Sequence, residues 1–172
     1  MKKILNFKHW QLFILIVLFA AWTSPSPWRE IINSIAGVIF LIWIYSIVTF
    51  GQEKIARLGL TVKPLKLFKF NIFLIPVLIS IIVLVGGELN KDSDNLVDLF
   101  LIVAGVYLVF AILYTMMVAG KTLSILEKKR QIDFSDWVGN FILVLVFFIG
   151  VWIIQPKVNR LLGEEQEDRQ IP

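Results

Sequence analysis

Residues 31–50 read IINSIAGVIFLIWIYSIVTF: twenty positions without a charge, twelve of them Leu, Ile, Val or Phe. A helix of about 20 apolar residues crosses the roughly 30 Å hydrocarbon core of a bilayer. Twelve such side chains, placed centrally, contribute about −4 to −7 kcal/mol to insertion. This stretch reads as a membrane span. Residues 99–119 and 138–154 are equally free of charge, and 65–85 qualifies once Lys66 and Lys69 snorkel to the interface. The first apolar stretch, 4–22, is shorter, with Lys8, His9 and Gln11 near its start. A cleaved signal peptide is the rival reading there, but Phe19 stands where the cleavage pattern wants a small residue. The expected fold is therefore all-α: a polytopic transmembrane helical bundle of about five spans, or four if 4–22 is cleaved or interfacial.

Composition agrees. Of 172 residues, 58% are hydrophobic and 17% charged, against about a quarter charged in soluble domains. With no cysteine and one histidine, disulfides, zinc–thiolate and iron–sulfur sites and thiol nucleophiles are excluded. Residues 1–163 form one transmembrane domain in this reading, and 164–172 an acidic, disordered tail.

Basic residues set the orientation, because they are retained on the cytoplasmic side. With five spans and the N-terminus inside, twelve of seventeen are cytoplasmic: Lys2, Lys3, Lys8, Lys54, Arg57, Lys63, Lys66, Lys69, Lys121, Lys128, Lys129 and Arg130. Arg29, Lys91, Lys157, Arg160 and Arg169 fall outside. The reading is N-in and C-out in the bacterial inner (cytoplasmic) membrane, with Lys157 and Arg160 the discordant pair. The inner basic residues would meet anionic lipid headgroups. Trp10 and Trp137 fall at the inner boundary and Trp22, Trp28 and Trp152 near the outer one, while Trp43 lies well inside a span.

The connections carry their own signals. Ser26 followed by Pro27 suits a helix start. Residues 51–64 read as a short interfacial helix, with Ile55, Leu58 and Leu60 toward lipid and Lys54 and Arg57 toward water. Pro76 falls inside the third span. The fourth helix is expected to extend through 121–127 into solvent, and Asp133 or Ser135 to cap the fifth. Pro156 marks an exit from the bilayer, followed by one amphipathic turn.

Little in the chain resembles catalytic machinery. Ser124 and Lys128 have dyad spacing on a helix, but a solvated face would not lower the lysine pKa. Asp92-x-Asp94 starts like a calcium loop, yet Leu96 stands where an oxygen ligand is needed and the glycine is missing. No span carries an ionisable residue away from its ends, which argues against proton-coupled transport. No enzyme activity, cofactor, metal site or nucleic-acid partner is expected. No internal repeat is visible.

Uncharged polarity is more informative. Ser46, Thr49, Asn71, Tyr114, Thr115 and Asn140 all come within about 9 Å of the inner boundary along their helices. They form an expected inner polar layer, either as interhelical hydrogen bonds or as a shallow ligand pocket. Ala111, Thr115 and Ala119 repeat at spacing four, a small-residue stripe suited to helix docking.

Phe134-Ser135-Asp136-Trp137 and Trp152-Ile153-Ile154-Gln155-Pro156-Lys157-Val158-Asn159 resemble the last forty residues of small bacterial inner-membrane proteins, a resemblance that implies no function. The five-helical, tryptophan-rich translocator-protein family is similar in size, but Pro25-Ser26-Pro27-Trp28 lacks its aromatic followed by paired prolines. The functional expectation is a non-enzymatic accessory or assembly subunit acting through helix faces, as a homo-oligomer or with a membrane-protein partner. The alternative is a binder or carrier of a small apolar or amphipathic molecule.

Overall fold

A computed structural model describes residues 2–18, 28–61, 64–88 and 95–168. Among these the regular secondary structure is all helix. It divides into two compact units, one of Met1–Lys63 with Met116–Pro172 and one of Pro64–Thr115. Among the described residues three helices are long and apolar enough to cross a membrane, or up to four if one bent helix pair counts as a span.

The N-terminal stretch is not a single rod. A 3-10 turn, Lys2–Asn6, is followed by the short helix α1, His9–Phe13, and a π turn, Ile14–Leu18. The break at Phe7 and Lys8 has a local cause. Lys8 is extended, with φ −70° and ψ 150°, and its N–H donates to the Gln11 side chain at 2.8 Å. The carbonyls of Leu5 and Phe7 accept from a side chain distant in sequence, at 2.7 and 2.8 Å. Residues 19–22, and the expected Ser26–Pro27 helix start, lie outside the described residues.

Helix α2, Trp28–Arg57, is 30 residues long, about 45 Å at 1.5 Å per residue. It runs through the region expected to be a separate interfacial helix, and Lys54 and Ile55 are buried rather than set on opposite faces. Its stop comes later, at Gly59, whose φ of +69° only glycine adopts freely. There Gly59 N–H bonds to Ala56 O at 3.1 Å and Leu60 N–H to Ile55 O at 3.2 Å, the paired bonds of a Schellman ending.

In the second unit, α3, Lys66–Glu88, contains Pro76 as expected. Pro76 cannot donate to the Ile72 carbonyl one turn back, and Ser80 Oγ donates to the Pro76 carbonyl at 2.9 Å. Helix α4, Asn95–Lys128, has 34 residues. Residues 95–115 belong to the second unit and its last turns to the first. Those turns are not solvated: Thr122, Leu123, Ser124 and Leu126 are all buried.

The expected span 138–154 is bent. Helix α5, Phe134–Leu145, starts behind Asp133 at its N-cap. The chain then turns at Val146 into α6, Phe147–Asp168, at 120° to α5. A Cβ on Gly150 would lie 1.6 Å from the Leu143 carbonyl oxygen, so the turn is as tight as it is because position 150 has no side chain. Pro156 sits inside α6, and the tail expected to be disordered remains helical to Asp168. Glu and Gln, which fill most of 164–168, are good helix formers.

Candidate functional site

The polar groups of the first unit gather on two amides. Gln155 is fully buried on α6. Its Oε1 accepts from Trp43 Nε1 of α2 at 2.9 Å. Its Nε2 donates to Leu5 O at 2.7 Å, Phe7 O at 2.8 Å and Asn159 Oδ1 at 3.1 Å. One side chain thus ties the N-terminal segment, α2 and α6 together with both ends of its amide engaged. Rings close over it: Phe147 meets Phe40 and Trp43 edge-on, at 5.1 and 5.5 Å between centroids. His9 packs against Trp152 at 4.7 Å, which makes it part of an aromatic contact between α1 and α6. Further along, Lys54 Nζ donates to Leu161 O at 2.8 Å.

Asn140 is the second node. Its Nδ2 donates to Ser124 Oγ and to Glu127 Oε2, each at 2.8 Å. Lys157 Nζ donates to Asn140 Oδ1 at 3.1 Å and pairs with Glu127 Oε1 at 2.9 Å. Helices α4, α5 and α6 meet here, and a Cβ on Gly120 would fall 2.7 Å from the Phe141 backbone nitrogen. The acid and the base offset each other, with the uncharged amide between them. Ser124 faces Asn140, and Lys128 instead pairs with Asp136, which also accepts from Arg130 at 3.0 Å. The Ser124–Lys128 dyad spacing therefore has no counterpart in contact.

The expected inner layer is only partly one structure. Ser46 Oγ donates to Ile42 O at 2.7 Å, Thr49 Oγ1 to Tyr45 O at 2.8 Å and Thr115 Oγ1 to Ile112 O at 2.8 Å. A hydroxyl in a helix returns to its own backbone in this way because the carbonyl is always within reach. Tyr114 stacks on Phe110 at 5.9 Å. In the second unit Asn71 is fully buried; its Oδ1 accepts from Tyr107 at 2.9 Å, and its Nδ2 has no partner among the described residues. Ala111, Thr115 and Ala119 are all buried, which fits a packing stripe and leaves none of the three on an outer face.

Gln155, Glu127 and Lys157 were not among the expected site residues. The signal for Gln155 was present, as an amide directly after the apolar run 147–154 and one turn before Asn159. Among the described residues no three His, Cys, Asp or Glu side chains converge as a metal site would need. The acidic loop 89–94 lies outside the described residues.

Compared with protein-family models, curated proteins and solved structures, the chain matches none.

Proposed function

We propose that this protein is a non-catalytic, multi-pass subunit of the bacterial inner membrane that acts by presenting helix faces to another membrane protein. The observation that carries the reading is the uneven burial of its spans. In the most apolar eighteen-residue window of α2, 44% of residues are buried, against 22% in α3 and 11% in α4. Phe73 on α3 and Val106 on α4 are 72% and 67% exposed. In the first unit, by contrast, Gln155, Asn140 and Lys54 are engaged with other side chains or with backbone. That is the pattern of a structural brace rather than of groups held ready for a substrate.

The charge bias supports placing the N-terminus and the connections at 51–64 and 120–136 in the cytoplasm. With that orientation, 4–22 makes the first crossing and α2, α3 and α4 the next three. Anionic headgroups would neutralise the cytoplasmic lysines.

Photocrosslinking in native membranes tests the docking role. A photoreactive residue at Phe73 or Val106 should give a discrete protein adduct, and one at the buried Ile75 or Ala104 should give none. Adducts with lipid alone at both outward positions would overturn it.

A second reading, binding of a small amphipathic molecule, is favoured by the buried, unpartnered Nδ2 of Asn71. A ligand carrying a hydrogen-bond acceptor would satisfy it. Asn71→Leu should then abolish co-purification of that ligand, which mass spectrometry of mildly extracted protein would detect.

A further inference from the structure

The bent pair α5–α6 has a direction as well as a bend. Along α2 and α6 the contacts climb together: Phe40 meets Phe147, Trp43 meets Gln155 and Lys54 meets Leu161. Helix α6 therefore runs parallel to α2. The N-terminal segment runs the opposite way, with Leu5 and Phe7 at Gln155 and Phe13 at Trp152. If α2 descends from the outer to the inner face, α6 also descends. A fifth crossing from inside to outside would require it to ascend.

Length points the same way. Helix α5 has 12 residues, about 18 Å at 1.5 Å per residue, which reaches a little past the middle of a hydrocarbon layer about 30 Å thick and falls well short of its far side. Irregular backbone at such a depth is tolerable only when its polar groups are satisfied. At the turn the N–H groups of Val146, Ile149 and Gly150 do bond, to Ile142 O at 2.8 Å and to Val146 O at 3.0 and 2.8 Å. The side chains around the turn are apolar and outward, with Phe148 and Ile149 60% and 61% exposed. At the base of the pair Arg160 is exposed, Lys121 of α4 lies over the Trp137 ring at 4.5 Å, and Asp136 pairs with Lys128 and Arg130.

We infer that α5 and α6 form a re-entrant hairpin that enters the cytoplasmic leaflet and returns, seating its apolar tip among acyl chains and its charged base at the headgroups. The C-terminal tail then lies in the cytoplasm rather than outside. Charge placement improves with it. Lys157, Arg160 and Arg169 join the inner set, which then holds fifteen of the seventeen basic residues and leaves Arg29 and Lys91 outside. The discordant pair of the five-span reading disappears.

This inference rests on the membrane orientation proposed above, and the experiment separates the two. The chain has no cysteine, so single cysteines can be labelled without background. Ser93→Cys, Gln131→Cys and Gly163→Cys are treated with a membrane-impermeant maleimide in intact spheroplasts and in inverted vesicles. The expected result is labelling of Ser93→Cys only in spheroplasts, and of Gln131→Cys and Gly163→Cys only in inverted vesicles. Labelling of Gly163→Cys in spheroplasts while Gln131→Cys stays protected would overturn the hairpin and leave the orientation intact. Labelling of both in spheroplasts would overturn the orientation, and with it the cytoplasmic leaflet. A reporter enzyme active only in the cytosol, fused after Pro172, gives the same discrimination should Gly163→Cys not accumulate.

Discussion

Gln155 and Asn71 are both fully buried amides, one in each compact unit, and they are treated differently. Gln155 has its oxygen and nitrogen engaged, the nitrogen largely by backbone carbonyls. Asn71 receives one hydrogen bond from Tyr107 and leaves its nitrogen without a partner among the described residues. The first unit uses polar groups to hold an irregular N-terminal segment and a bent helix pair, neither of which could close on apolar packing alone. In the second unit α3 stays a helix through Pro76, and the Asn71–Tyr107 bond joins α3 to α4. Gln155 is thus a brace where the backbone is broken.

The largest effect should come from filling the turn. Gly150→Ala sets a methyl where the Leu143 carbonyl oxygen already lies, 1.6 Å from the new carbon. The obstruction is backbone, so the hairpin must open, at about 3 kcal/mol or more. Loss of accumulation, or a large drop in the detergent-solubilised Tm, is expected. Gly105→Ala in the second unit is the control, since nothing lies within 4 Å of its Cβ. It should be neutral or stabilising by up to about 1 kcal/mol from helix propensity. Equal effects would erase the difference between the units.

Next in size is Gln155→Leu, which leaves the Leu5 and Phe7 carbonyls and the Trp43 N–H without this partner. Each stranded buried group costs about 1–3 kcal/mol. The N-terminal segment should become protease-sensitive and the tryptophan emission should shift, while α3 and α4 keep their protection. A smaller change is expected at Glu127 and Lys157, whose side chains are 22% and 28% exposed. Solvent screening limits such a pair to about 1 kcal/mol, so Lys157→Met should lower Tm slightly and lose its effect as salt is raised. A large, salt-independent loss would mean that the Asn140 node is as indispensable as the Gln155 one.

The helical class and the apolar stretches were legible in the sequence, because an uncharged run of twenty mostly apolar residues is too long for an ordinary strand and too greasy for a loop. Local chemistry alone placed Pro76 inside α3 and Asp133 at the start of α5. The bend at Val146 was not legible: no proline marks the break, and the deciding residue, Gly150, acts through its distance from Leu143. Gln155 was missed too, since it stands at the end of an apolar run, before Pro156 and Lys157, where hydropathy reads an exit from the bilayer rather than the residue that three segments share. The expected polar layer was read from depth, and depth does not tell a hydroxyl bonded to its own helix, as at Ser46, Thr49 and Thr115, from one that reaches across. Asn71 and Asn140 were the members with partners on other helices, because an amide is too long and too rich in donors to be satisfied by its own turn.

The smallest effect is the most direct attack on the contrast between the two amides. The partner of Asn71 is a side chain and can be removed with it, whereas the carbonyls held by Gln155 are backbone and cannot. Replacing both members of a buried hydrogen bond by apolar groups of similar shape is close to neutral, and eliminating an unsatisfied donor is favourable. Asn71→Leu with Tyr107→Phe should therefore leave Tm unchanged or raise it slightly. Asn71→Leu alone strands the Tyr107 hydroxyl and should be less stable than the double variant by about 1 kcal/mol, the low end of the cost of an unsatisfied group. A marked loss of stability in the double variant would show that Asn71 Nδ2 has an acceptor in the membrane, and would make it a second brace rather than the counterexample to the first.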